Sequence, residues 1–146
     1  MHNLIYISAA SHLLTNEELV DILTVSRLNN SRLGITGLML YHEGAILQIL
    51  EGEETVLKTL YRKICTDSRH KGLIKMLDIP VNERSFEDWS MGFKQISKED
   101  WSSLGGYLNL QNNEMLSALT RSGATHVISM IKSFATVNMG MVHKVR

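Results

Sequence analysis

The spacing of apolar residues changes period along the chain, and each change marks an element. Leu4, Ile5, Tyr6 and Ile7 form a short apolar run closed by the small-residue cluster Ser8 to Ser11, too short for a helix and suited to a first strand. Thr15 followed three places later by Glu18 has the form of a capping box. Leu19, Ile22 and Leu23 then repeat at helical spacing as far as Asn29 and Asn30, which the pattern places at the helix end. Val20, Val25 and Leu28 are apolar on other sides of this helix, so a second face calls for cover. Ile35 to Tyr41 and Ala45 to Leu50 are strand-like runs joined by His42, Glu43 and Gly44, a break suited to an antiparallel hairpin. Val56, Leu57, Leu60 and Ile64 mark a second amphipathic helix that the pattern carries on into Asp67, Ser68, Arg69 and His70. Leu73 to Ile79 and Phe86 to Phe93 are two further strands, the first bounded by Pro80.

The order βαββαββ predicts an α+β fold, a ferredoxin-like sandwich with two helices on one face of a mixed sheet. Met115, Leu116 and Leu119, then Val127, Met130, Ile131 and Phe134, form two more helical stripes. They are expected to make a hairpin from about Asn109 to Val137 against the other sheet face, with fraying from Met139. Residues 1–96 are thus expected to be one domain and 97–146 a helical extension packed on it.

Composition narrows the function classes. The chain has 146 residues, 44% of them hydrophobic, enough for a core without disulfides. Fifteen Lys+Arg balance fifteen Asp+Glu, which argues against holding nucleic acid or an anionic membrane by bulk charge. Cys65 is the one cysteine, no apolar run approaches the length of a membrane span, and no signal peptide is evident, so a cytoplasmic setting is expected. The six histidines show no metal-ligand spacing, and GxxxxGK[ST], GxGxxG and GxSxG are all missing, so no metal site or hydrolytic centre is expected.

Chemistry is suggested by polar residues in apolar company. Gln48 alternates with Ile46 and Leu50 on one face, with Leu47 and Ile49 on the other, so either face is apolar and its amide needs partners. A glutamine on the solvated side of an edge strand is the bland alternative. Tyr6 lies in an apolar strand, where a buried phenol also needs a partner, though an ordinary core tyrosine would satisfy that description. Asn29 and Asn30 suit a helix end, and Arg69 and His70 suit a helix C-terminus by its dipole.

Taken together, LIYIS with Tyr6, SRLNN with Asn29 and Asn30, ITGLMLY, ILQILEG with Gln48, DSRH and WSMGF resemble the BLUF domain family, sensors of blue light using FAD. The resemblance covers about residues 2 to 96, its six blocks in the family's order and spacing. It implies the same ferredoxin-like arrangement, with a flavin ring between the two helices. By motif match, Tyr6 is similar to the photochemical electron donor, Gln48 to the switching amide between tyrosine and flavin, and Asn30 to the residue bonding the ring's carbonyl and imide edge. Asn29, Asp67 and His70 match further flavin-contacting positions, with Arg27 and Lys63 as contacts to the ring edge or phosphates. Trp89 and Met91 match a signalling pair on the last strand beside the glutamine. Ile46 departs mildly from the phenylalanine of many members, one apolar strand former for another.

The implied cofactor is FAD, with FMN or riboflavin able to serve in the same site, held noncovalently. The short chain resembles the stand-alone members, which lack a catalytic domain and act through light-dependent contacts with other copies and with a separate downstream signalling protein. An acylphosphatase-like small hydrolase is the alternative the fold allows, but Ile7, Ser8, Ala9 and Ala10 supply no arginine-bearing phosphate cradle. A flavin-free interaction module, in which Tyr6 and Gln48 are dispensable, is the third reading.

Overall fold

The computed structural model describes residues 1–86, 91–95 and 125–135. The elements are β1 (His2–Ala10), α1 (Asn16–Leu33), β2 (Thr36–His42), β3 (Ala45–Gly52), α2 (Glu54–Cys65), β4 (His70–Pro80), β5 (Gly92–Gln95) and α3 (Thr125–Ala135). The sheet order is β4-β1-β3-β2-β5, and β1, β2, β3 and β4 pair antiparallel. This is the ferredoxin-like order, with each helix returning the chain to the sheet.

Local chemistry explains the boundaries. The Thr15 hydroxyl accepts from the Glu18 N–H, while the Glu18 carboxylate accepts from the Thr15 N–H, so the expected capping box starts α1. The end of α1 differs from expectation. Asn29 and Asn30 lie inside the last turn, and the helix runs on to Leu33 before Gly34, at φ 69°, closes it in the left-handed conformation that glycine tolerates best. The second helix likewise stops sooner than its pattern suggests, at Cys65. Asp67 instead folds a tight turn by accepting from the Arg69 backbone N–H, and His70 already opens β4. Glycine is also needed at Gly37 on β2, where a Cβ would overlap the Ile49 carbonyl.

Strand alternation sends Leu4, Tyr6, Met39, Tyr41, Ile46 and Leu50 to one face. There they form a core with Leu14, Leu19 and Leu23 from the α1 region, Leu57 from α2, and Met91. Ile5, Leu38, Leu40, Leu47 and Ile49 alternate to the opposite face and are buried too. Val20 and Leu28 remain exposed, so the second apolar side of α1 is not covered as its pattern suggested.

The strand expected from Phe86 to Phe93 does not start at Phe86, and its positions 87–90 lie outside the described residues. Phe86 lies outside any strand, and β5 begins at Gly92. The stretch before it is tied to the sheet by Glu51, a fully buried carboxylate on β3. Its oxygens accept from the backbone N–H groups of Ser85 (2.9 Å) and Phe86 (2.6 Å) and from the Thr36 hydroxyl (2.8 Å). Arg84 adds bonds to the Thr36 hydroxyl and to the Gly34 and Glu51 carbonyls.

The chain divides into two compact units, Met1–Lys94 and Gln95–Arg146. In the second, α3 buries Val127, Ile131 and Phe134. The other expected stripe, Met115, Leu116 and Leu119, lies outside the described residues, as does Trp89. Among the described residues, no helix is long and apolar enough to cross a membrane.

Candidate functional site

A cavity of about 300 Å³ lies between α1 and α2 against the sheet. Tyr6, Met39, Ile46 and Gln48 line it from the strands, Ile22, Val25, Ser26, Asn29 and Asn30 from α1, and Leu60, Lys63 and Ile64 from α2. Leu14, Asp67, Arg69 and His70 complete the lining. Seven of the eight residues expected at the cofactor are therefore brought together.

The floor follows from register. Tyr6 on β1 stands directly opposite Gln48 on β3, the two side chains on the same face of the central strands. The Tyr6 hydroxyl donates to Gln48 Oε1. Burial holds the phenol well above the ordinary tyrosine range, so it remains a donor. Gln48 Nε2 lies 3.7 Å from the Met91 sulfur, a weak acceptor. Its other N–H has no partner among the described residues, although the side chain is buried. An amide at a cavity wall with a donor to spare is what a polar heterocycle edge would satisfy. The cavity itself is at the lower end of the range for small-molecule sites, with mixed apolar walls and a few convergent polar groups. These features fit a flavin ring.

The walls are held in turn. Asn30 is 2% exposed, and Asn29 Oδ1 accepts from Arg32 at 3.1 Å. His70 Nε2 lies 2.7 Å from the Ile64 carbonyl, which can only accept. That assigns the proton to Nε2 and leaves Nδ1 to accept from the Ser8 hydroxyl at 3.0 Å. The imidazole also meets the Tyr6 ring edge-on, with centroids 6.1 Å apart, while Tyr61 packs on Tyr6 at 5.6 Å. At the α2 end, the Arg69 guanidinium pairs with Asp67 and holds its carboxyl down to about 2.

Arg27 does not line the cavity. Its Nε donates to the Met91 carbonyl at 2.9 Å. The sequence-based expectations omitted Met39, although hairpin register sets it opposite Gln48, and Ser26, one turn before Asn30. Ser8 was also passed over. It alternates with Tyr6 on β1, but its bond to His70 depends on a β1–β4 pairing that no local pattern announces.

The fold and cavity define a ferredoxin-like domain with a small-molecule-sized cavity between its helices. The family model for sensors of blue light using FAD matches residues 1–92, and the chain belongs to this BLUF family. That family is described as sensors of blue light using FAD, a result that favours the resemblance over the hydrolase alternative. Among its relatives, the photoactivated adenylate cyclase subunit alpha of Euglena gracilis is 36% identical over 83 residues, 57% of this chain and 8% of that protein. The blue light- and temperature-regulated antirepressor BluF of Escherichia coli (strain K12) is 30% identical over 70 residues, 46% of this chain and 17% of that one. The chain thus spans a small part of these relatives. Two solved structures are matched along most of their length. BlrB, a BLUF protein in its dark state, has a TM-score of 0.65 at 31% identity, covering 86% of this chain and 96% of that one. BlsA in its ground state has a TM-score of 0.65 at 33% identity, covering 79% and 87%.

Proposed function

We propose that the cavity between α1 and α2 holds the flavin noncovalently and that the Tyr6–Gln48 pair at its floor is the switch. When bound, the flavin supplies the light absorption and the electron-accepting power. Tyr6 would serve as the donor of an electron and of its phenolic proton, and would recover both. Gln48, bonded to that phenol, would be left rotated or tautomerised, so that a different set of donors and acceptors faces the cavity and Met91. Asn30, with both a donor and an acceptor on its amide, holds the polar edge of the ring. Asn29, Asp67 and His70 would contact the ring or its substituents, and Lys63 would serve the edge or phosphates.

The observation that carries this reading is the direct Tyr6–Gln48 hydrogen bond in a buried, cavity-lining position. A changed hydrogen-bond network in a low-dielectric site can bias a two-state element, which is all that a sensor needs. Residues 1–96 would act as the sensor and 97–146 as a helical extension. The output would be altered contacts with other copies of the chain and with a separate signalling protein in the cytoplasm, with no turnover of a substrate. Trp89 and Met91 would pass the change onward.

The test is an absorption spectrum in darkness and after blue light. The parent protein should be yellow, with a small reversible shift to longer wavelength. Tyr6→Phe and Gln48→Leu should retain flavin and lose the normal shift. A full reversible shift in either variant would overturn the assignment of the switch.

A further inference from the structure

We infer that Arg27 is a positioning residue of the switch: from α1 it holds the backbone of Met91, and through it the thioether that faces the Gln48 amide. The Arg27 Nε donates to the Met91 carbonyl at 2.9 Å, joining positions 64 residues apart. Met91 is 2% exposed, and its sulfur lies 3.7 Å from Gln48 Nε2.

The two contacts differ in strength, and that difference assigns the roles. A thioether is a weak acceptor on a flexible side chain with three rotatable bonds, so the Gln48 contact cannot by itself fix Met91. The guanidinium bond to the carbonyl is charge-assisted and fixes where the Met91 backbone sits. An amide reoriented to present Oε1 to the sulfur would replace a weak attraction with a contact between two electron-rich atoms. Met91 could then yield only against its tie to Arg27. The helix that carries Arg27 also carries Asn29 and Asn30, so the tie links Met91 to one wall of the cavity. Arg27 is exposed overall, so replacing it leaves no buried charge behind.

This inference rests on the proposed role of Gln48, and the test separates the two. The flavin-loaded protein is labelled with 13C-methyl methionine, and the Met91 signal is assigned among the eight methionines by Met91→Leu. Arg27→Gln should move or broaden that signal in darkness. It should also change the rate of dark recovery after blue light by about threefold to tenfold, the factor that a hydrogen bond's net contribution converts to. Flavin content per protein should be unchanged. Arg27→Lys, which keeps the charge but has a single-point ammonium, should fall between. An unmoved Met91 signal would overturn the inference, as would a moved signal with unchanged recovery. Loss of flavin with an unmoved signal would instead make Arg27 a cofactor contact. Absence of any light-induced shift in the parent would overturn the Gln48 switch, while the dark Met91 signal would still decide whether Arg27 holds Met91.

Discussion

Tyr6 and Gln48 meet because two neighbouring strands pair in a register that sets them opposite each other, so the bond between them is fixed by backbone geometry before any ligand arrives. Asn30 is different. It is reached from a helix, and its contribution should appear in binding more than in photochemistry. Asn30→Ala should weaken flavin retention by about tenfold, the size of a lost hydrogen bond in a buried site, which flavin titration of the refilled apoprotein would measure. Undiminished retention would argue against a direct contact. Asp67 adds a pH dependence whose sign is set by its lowered acidity. Ordinary at 3.8 and held at about 2 in the fold, the carboxylate gives stability that is present above about pH 4 and is lost as pH falls through about 2. The melting temperature of the parent should therefore fall more steeply between pH 5 and pH 2 than that of Asp67→Asn. Parallel profiles would mean that the Arg69 pair does not stabilise the turn.

Among the elements, those with a repeating period were legible from sequence, and those set by a single contact were not. The α1 capping box and the β2–β3 hairpin carry their signals within a few residues, and alternation put Gln48 on the face it occupies. The end of α2 was misplaced because Asp67, Arg69 and His70 are compatible with a helix C-terminus. Only the Asp67 side-chain bond to the Arg69 backbone decides for a turn. The bond from Arg27 to Met91 was out of reach for a similar reason, since its partner is a carbonyl 64 residues away. The position of Phe86 outside a strand has the same origin. Glu51 holds Ser85 and Phe86 in a non-strand course, an arrangement invisible to periodicity. Removing that carboxylate takes an acceptor from the buried Phe86 N–H and from the half-buried Ser85 N–H and Thr36 hydroxyl, a buried orphan costing about 1–3 kcal/mol and a half-buried one less. Glu51→Ala should thus lose on the order of 3–5 kcal/mol in urea unfolding, with Glu51→Gln, which keeps one acceptor oxygen, losing less. A loss for Glu51→Ala within about 1 kcal/mol of the parent would mean that this stretch is held by other contacts.

At the scale of the whole chain, a sensor must pass a change of one amide to a surface that another protein can read. Met91, which faces that amide, immediately precedes β5, and β5 ends at Gln95, where the second compact unit begins. The shortest covalent route out of the cavity floor therefore leads along one four-residue strand into the unit that contains α3. Such a short strand has few ladder bonds to resist displacement, and regions of that kind are where local opening costs least. We expect illumination to change amide protection in α3, whose buried apolar positions Val127, Ile131 and Phe134 would register any loosening of their packing. Hydrogen exchange in darkness and under continuous blue light would measure this over residues 125–135, with β1 and β3 as an internal reference that should change little. If protection of α3 is identical in both conditions while the flavin absorption shift is intact, the signal leaves through another surface. The exposed side of α1, with Val20 and Leu28, would then be the next place to look. Gln48→Leu supplies the control, because light should leave its α3 protection at the dark value if the amide is the origin of the change.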